Sequence, residues 1–116
     1  VQSSESLGET SLGQAIQADS SKGPLFSARG AIYSSQKKYD LAFKDYEKNI
    51  QIEPNVYLPY YIRSLDKYTL EDMDGSCEDL LKGYDLYKLE NPESKFVQFM
   101  EENISDHCDS SKASYY

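Results

Sequence analysis

The side chains in this sequence with most chemistry to offer are Cys77, Cys108 and the one histidine, His107. Together they supply at most three soft ligands and no C-x-x-C spacing, whereas a structural zinc site asks for four ligands in a tetrahedron. A Cys77–His107 nucleophile pair would need an exposed thiolate. Cys77 instead falls on an apolar face with Met73, Leu80, Leu81 and Tyr84, at helical spacing. The chain carries no Gly-rich phosphate loop, no G-x-S-x-G and no H-E-x-x-H. Its acidic residues lie mostly on polar helix faces. These residues predict no catalysis, no cofactor and no metal. Asn103-Ile104-Ser105 matches the glycosylation sequon, but Ile104 sits on an apolar stripe and the pattern is common by chance.

For the two cysteines the residues leave three readings open. Both thiols could be buried and reduced, acting as small apolar groups. They could form a disulfide, because Cys77 lies on a core face and Cys108 ends the stripe Phe96, Met100, Ile104, so that both face the same boundary. That bond would close a loop of about 30 residues, stabilise by about 3 kcal/mol through chain entropy, and imply an oxidising compartment. Metal or redox chemistry is the third reading.

The elements that position these groups follow from the stretch Leu25 to Pro54, which reads as two short amphipathic helices joined by a turn at Ser34-Ser35-Gln36. Tyr39, Ala42, Phe43, Tyr46 and Ile50 recur at i, i+3, i+4, i+7 and i+11, an apolar helix face. Phe26, Arg29, Gly30, Tyr33, Ala42, Tyr46 and Pro54 stand at the offsets W-x2-L-G-x2-Y, A-x3-F and P, and this segment resembles the tetratricopeptide repeat (TPR). Gly30 and Ala42 are the small residues that let two helices cross closely. Arg29 departs from the apolar residue usual at its place, and its aliphatic stem is expected to fill in with the head in water.

A step of 34 residues brings Phe26 to Tyr60, Arg29 to Arg63, Gly30 to Ser64, Ala42 to Ser76 and Tyr46 to Leu80. The aromatic expected at Lys67 is displaced to Tyr68, and the closing Pro is replaced by Lys88, so the second helix should run on towards Glu90. The same step backwards lays Gly8, Leu12, Ala15 and Ser20 on Ala42, Tyr46, Asn49 and Pro54, which predicts a partial repeat over 8–20; residues 1 to 6 are too few for a helix of their own. Asn91 can cap and Pro92 can open a final helix, 92–108. Residues 109–116 lack an apolar period and read as a loose tail.

The resemblance therefore implies an all-α fold over 1–108: a right-handed solenoid of antiparallel helix pairs, with a partial repeat (8–20), a repeat (23–54), a degenerate repeat (57–90) and a capping helix (92–108). It also resembles a group of small bacterial TPR proteins, often exported, in which a cysteine follows the small residue of the last second helix, here Gly75-Ser76-Cys77, and another ends the terminal helix. First helices line the concave face in such proteins. On this likeness Ser27, Ala31 and Ser34 would lie beside Leu58, Tyr61, Leu65 and Tyr68 in a groove for a peptide or helix, unless those tyrosines only pack between repeats. Acidic-tail ligands need Lys, Arg and Asn there, which these positions lack.

With 116 residues, 39% hydrophobic and 28% charged, the chain suits one domain with a modest core. A net charge of −8, concentrated after residue 55, disfavours nucleic acid and anionic membranes, and no apolar run is long enough to insert in a bilayer. The acidic balance reads as a solvated surface or as steering towards a basic partner. The expected partner is a protein or peptide; an apolar edge left by the partial first repeat allows a homo-oligomer or a longer solenoid instead. The chain begins Val1-Gln2-Ser3 without Met, consistent with a removed signal or a fragment. Localisation turns on the cysteines, extracytoplasmic if they pair and cytoplasmic otherwise.

Overall fold

In a computed structural model, residues 4–108 are described, with side chains from residue 8 onward; the expected tail 109–116 lies outside them. Six helices follow one another: α1 (Ser4–Ala18), α2 (Gly23–Ser35), α3 (Tyr39–Ile52), α4 (Leu58–Thr69), α5 (Met73–Glu90) and α6 (Lys95–His107). Among the described residues there is no strand. The chain divides into two compact units, Val1–Pro54 with α1–α3 and Asn55–Tyr116 with α4–α6.

In the first unit, α2 opens with Pro24 in its first turn, where a missing N–H costs nothing. It runs to Ser35, so the turn falls at 36–38, two residues later than the Ser34-Ser35-Gln36 cluster suggested. Lys37 takes the left-handed conformation, φ 61°, and the Lys38 N–H donates to the Tyr33 carbonyl at 2.9 Å. These are the bonds by which a left-handed residue ends a helix and uses its last carbonyls. α3 then returns along α2 with Ala42 and Tyr46 wholly buried. Gly30 makes that approach possible: a Cβ there would sit 2.7 Å from the Tyr46 ring and 3.1 Å from the Ala42 carbonyl. α1 packs on α2 and buries Ile16; it starts at Ser4, taking in residues that looked too few for a helix.

The head of Arg29, expected in water, is held by a carboxylate instead of by solvent alone. Its Nε and Nη2 each donate to Asp45 at 2.8 Å, and its guanidinium lies over the Phe26 and Tyr33 rings. A fork of parallel charged hydrogen bonds outbids hydration when a carboxylate stands opposite. The hydrogen bonds to Asp45 also raise the Arg29 pKa against the opposing effect of burial.

The second unit repeats this hairpin 34 residues on. Arg63 Nε and Nη2 donate to Asp79 at 2.7 and 2.9 Å, and the guanidinium lies over Tyr60. Glu71 takes φ 64°, and the Asp72 N–H donates to the Lys67 carbonyl at 2.9 Å. Lys67, which replaces the aromatic Tyr33, joins the ion pair instead, with Nζ 2.9 Å from Asp79. Asp72 caps α5 by accepting from the Gly75 N–H at 3.0 Å.

α6 starts later than Asn91-Pro92 suggested. Ser94 is the N-cap, accepting from the Phe96 N–H at 3.2 Å, and Asn91 instead donates its side-chain amide to the Tyr87 carbonyl, closing α5. Val97, Met100 and Ile104 are buried, and Met100 and Ile104 form one core with Leu80 and Leu81. Phe96 meets Tyr61 and Tyr87 edge-on at ring separations of 5.2 and 5.0 Å, a favoured geometry for aromatic quadrupoles. Cys77 and Cys108 form a disulfide with a Cα–Cα distance of 5.7 Å, tying the end of α6 to α5. No helix among the described residues is long and apolar enough to cross a membrane.

Candidate functional site

A cavity of about 200 Å³ opens within the second unit, walled by α4, α5 and α6. From α4 come Tyr61, Ser64, Leu65 and Tyr68, which lie on one helix face because they are spaced three and four apart. α5 supplies Met73, Ser76, Cys77 and Leu80 by the same spacing. α6 supplies Phe99, Asn103 and His107, each one turn from the next. The third wall is held in place covalently, since Cys77 lines the cavity and Cys108 follows His107 directly.

The interior is apolar in effect as well as in composition. The Ser64 hydroxyl donates to the Tyr61 carbonyl at 2.5 Å and the Ser76 hydroxyl to the Ser64 carbonyl at 2.8 Å, so both donors are committed within the unit. Burial raises the Tyr61 pKa, with a smaller push from Tyr57, and keeps its phenol neutral. At the mouth stand large exposed apolar groups: Leu65 and Phe99 are each 50% exposed, Tyr68 45% and Met73 42%. Tyr68 and His107 meet edge-on across it, with ring centroids 5.3 Å apart.

Of the expected groove residues, Tyr61, Leu65 and Tyr68 come together here, while Leu58 is exposed on the same helix without lining the cavity. Ser27 does not offer itself to a partner. It is 1% exposed and its hydroxyl accepts from Asn49 Nδ2 at 2.6 Å, because the small residue is needed where α3 crosses α2. Ala31 is exposed and Ser34, half-buried, accepts the Lys37 N–H at the turn.

The residues that sequence reasoning left out are Ser64, Met73, Ser76 and Leu80 as lining groups, and all of α6. The 34-residue step carried a signal for three of these, since Ser64, Ser76 and Leu80 stand where Gly30, Ala42 and Tyr46 close the first hairpin. Phe99, Asn103 and His107 gave less: they lie off the stripe Phe96, Met100, Ile104 that marks the buried side. The sulfur a Cys77–His107 nucleophile would need is bonded to Cys108.

Residues 24–56 match the family model of the tetratricopeptide repeat, a span that holds α2, α3 and the turn between them. The α4–α5 hairpin beyond that span reproduces the ion pair and the left-handed turn at the same 34-residue step. Residues 24–56 are thus a tetratricopeptide repeat, and the α4–α5 hairpin that follows is built on the same plan.

Proposed function

We propose that this protein is a non-catalytic adaptor or assembly factor that holds an apolar side chain of a peptide or helix in the cavity of its second unit. The observation that carries this reading is the rim of Leu65, Tyr68, Met73 and Phe99, all large, apolar and between 42% and 50% exposed around an apolar recess. Exposed apolar groups clustered at a cavity are a cost in water unless a partner covers them. Such anchors give interfaces most of their binding energy. The fit is to a protein segment, since cavities for cofactors and drug-sized ligands run from about 300 Å³ upward.

The Cys77–Cys108 bond supports an oxidising compartment as the place of work. Affinity capture with the wild-type protein and with a Tyr61→Ala, Leu65→Ala variant tests the site. Partner recovery should be lost in the variant with its circular dichroism unchanged, and equal recovery by both proteins would refute the assignment.

A further inference from the structure

The cavity lies in the acidic part of the molecule. Across residues 55–108 there are 12 Asp and Glu against 5 Lys and Arg. Two of those five, Arg63 and Lys67, are committed to Asp79. Lys88 donates to the Tyr84 hydroxyl at 3.0 Å, and Lys82 does not line the cavity. Lys95 stands one turn before Phe99, at the end of α6 away from His107.

Carboxylates lie beside the mouth on two of its three walls. On α6, Glu102 and Asp106 are exposed and each precedes a lining residue, Asn103 and His107. Four residues apart, they form a row along that helix next to the lining row. At the start of α5, Asp72 and Asp74 are exposed on either side of Met73. Asn103, a lining residue, donates one N–H of its amide to the Phe99 carbonyl at 2.9 Å. The surroundings of the recess thus offer negative charge, and no ionised side chain is among those that line its α4 and α5 walls.

We infer that the partner segment is basic and amphipathic: one aromatic or long aliphatic side chain enters the cavity while flanking Lys or Arg residues pair with Glu102, Asp106 and the acids around Met73. The inference rests on the cavity reading above and adds the chemistry of the partner. Opposite charge raises the rate of encounter and rejects acidic competitors more than it adds raw affinity. A second copy of this chain is a poor occupant, because two surfaces of the same sign repel and the whole chain carries −8.

Two fluorescein-labelled synthetic amphipathic peptides test this, sharing one apolar face of Leu and Phe with every polar position Lys in one and Glu in the other. Fluorescence polarisation with the whole disulfide-bonded protein should show the Lys peptide bound about tenfold or more tightly over the Glu peptide at about 25 mM salt, the gap narrowing at about 300 mM. Leu65→Ala, at a half-exposed site that folding does not need, should weaken the Lys peptide about tenfold. Glu102→Gln with Asp106→Asn should weaken the Lys peptide alone, by about threefold to tenfold.

Equal affinity for the two peptides, with Leu65→Ala weakening both, would overturn the charge inference and leave the apolar anchor standing. Binding of the Lys peptide that ignores Leu65→Ala marks bare charge attraction and overturns the inference too. Failure of both peptides to bind would overturn it together with the cavity reading, as would a dimer in sedimentation that Leu65→Ala dissolves.

Discussion

The hairpins α2–α3 and α4–α5 share an ion pair and a turn, yet they carry their bulk on opposite helices. In the first, α2 presents Ser27, Gly30, Ala31 and Ser34, and α3 fills the space with Tyr39, Phe43 and Tyr46, whose rings follow one another at 6.4 and 6.2 Å. At the same positions of the second, α4 presents Tyr61, Ser64, Leu65 and Tyr68, and α5 offers the slimmer Met73, Cys77 and Leu80. The Tyr46 ring lies against Gly30 with no room for a Cβ. Leu80 and Ser64 instead both line the cavity. One framework thus yields a sealed contact or a recess, and a single position, tyrosine or leucine, goes far towards deciding which.

The largest test of that difference is at Tyr46 and Leu80. Truncating a wholly buried aromatic leaves a void that its neighbours refill only in part, so Tyr46→Ala should lower the free energy of unfolding by about 4 kcal/mol in urea titrations. Leu80→Tyr, which transplants the first hairpin's residue, should cost no more than about 1 kcal/mol, because the ring has the cavity to enter where a tight core would charge more for overpacking. It should also block peptide binding. A Leu80→Tyr protein as damaged as Tyr46→Ala would show that the recess cannot take the ring and that the comparison fails.

A smaller contrast separates the ion pairs. Arg29→Met removes the fork on Asp45, a carboxylate 5% exposed, and about 2 kcal/mol should go with it, less than for a fully buried pair because Arg29 keeps a quarter of its side chain in solvent. Arg63→Met leaves Asp79 its contact with Lys67, so about 1 kcal/mol is expected there. Equal losses in chemical denaturation would mean that Lys67 contributes nothing.

The smallest effect is alkaline. Burial raises the pKa of Tyr33 in the first unit, with Arg29 opposing, and of Tyr61 in the second, with Tyr57 adding to it. Below the unfolded phenol's pKa of about 10 both states hold the proton and stability is untouched. Above it the unfolded chain releases protons that the folded chain keeps, so stability falls as pH rises. Tyr61→Phe should flatten that decline more than Tyr33→Phe, followed as thermal midpoints from neutral pH upward.

Much of this architecture could be read from the chain itself. Gly30 and Ala42 announced a close crossing, and the return of like residues after 34 positions announced a second hairpin. The ion pairs were hidden because Asp45, sixteen residues from Arg29, looks like one more solvated acid. Only the parallel recurrence of Arg63 and Asp79 at the same separation betrays the pairing. Ser94 outcompeted Asn91 as a cap because Asn91 was already engaged with Tyr87. The cavity was the least legible feature. Its third wall comes from Phe99, Asn103 and His107, whose side of α6 carries no hydrophobic period to point at anything.

That α6 closes the recess, and that a sulfur bridge fixes it there, sets an order in time. Both hairpins precede Phe99 and His107 in the chain and leave the ribosome first, so folding during synthesis starts with them. The recess acquires its last wall only when α6 has been made and its Met100 and Ile104 have joined Leu80 and Leu81, and the Cys77–Cys108 bond then ties that wall to α5. On the proposed function, a nascent chain would have no complete docking surface to offer until translation had passed this point.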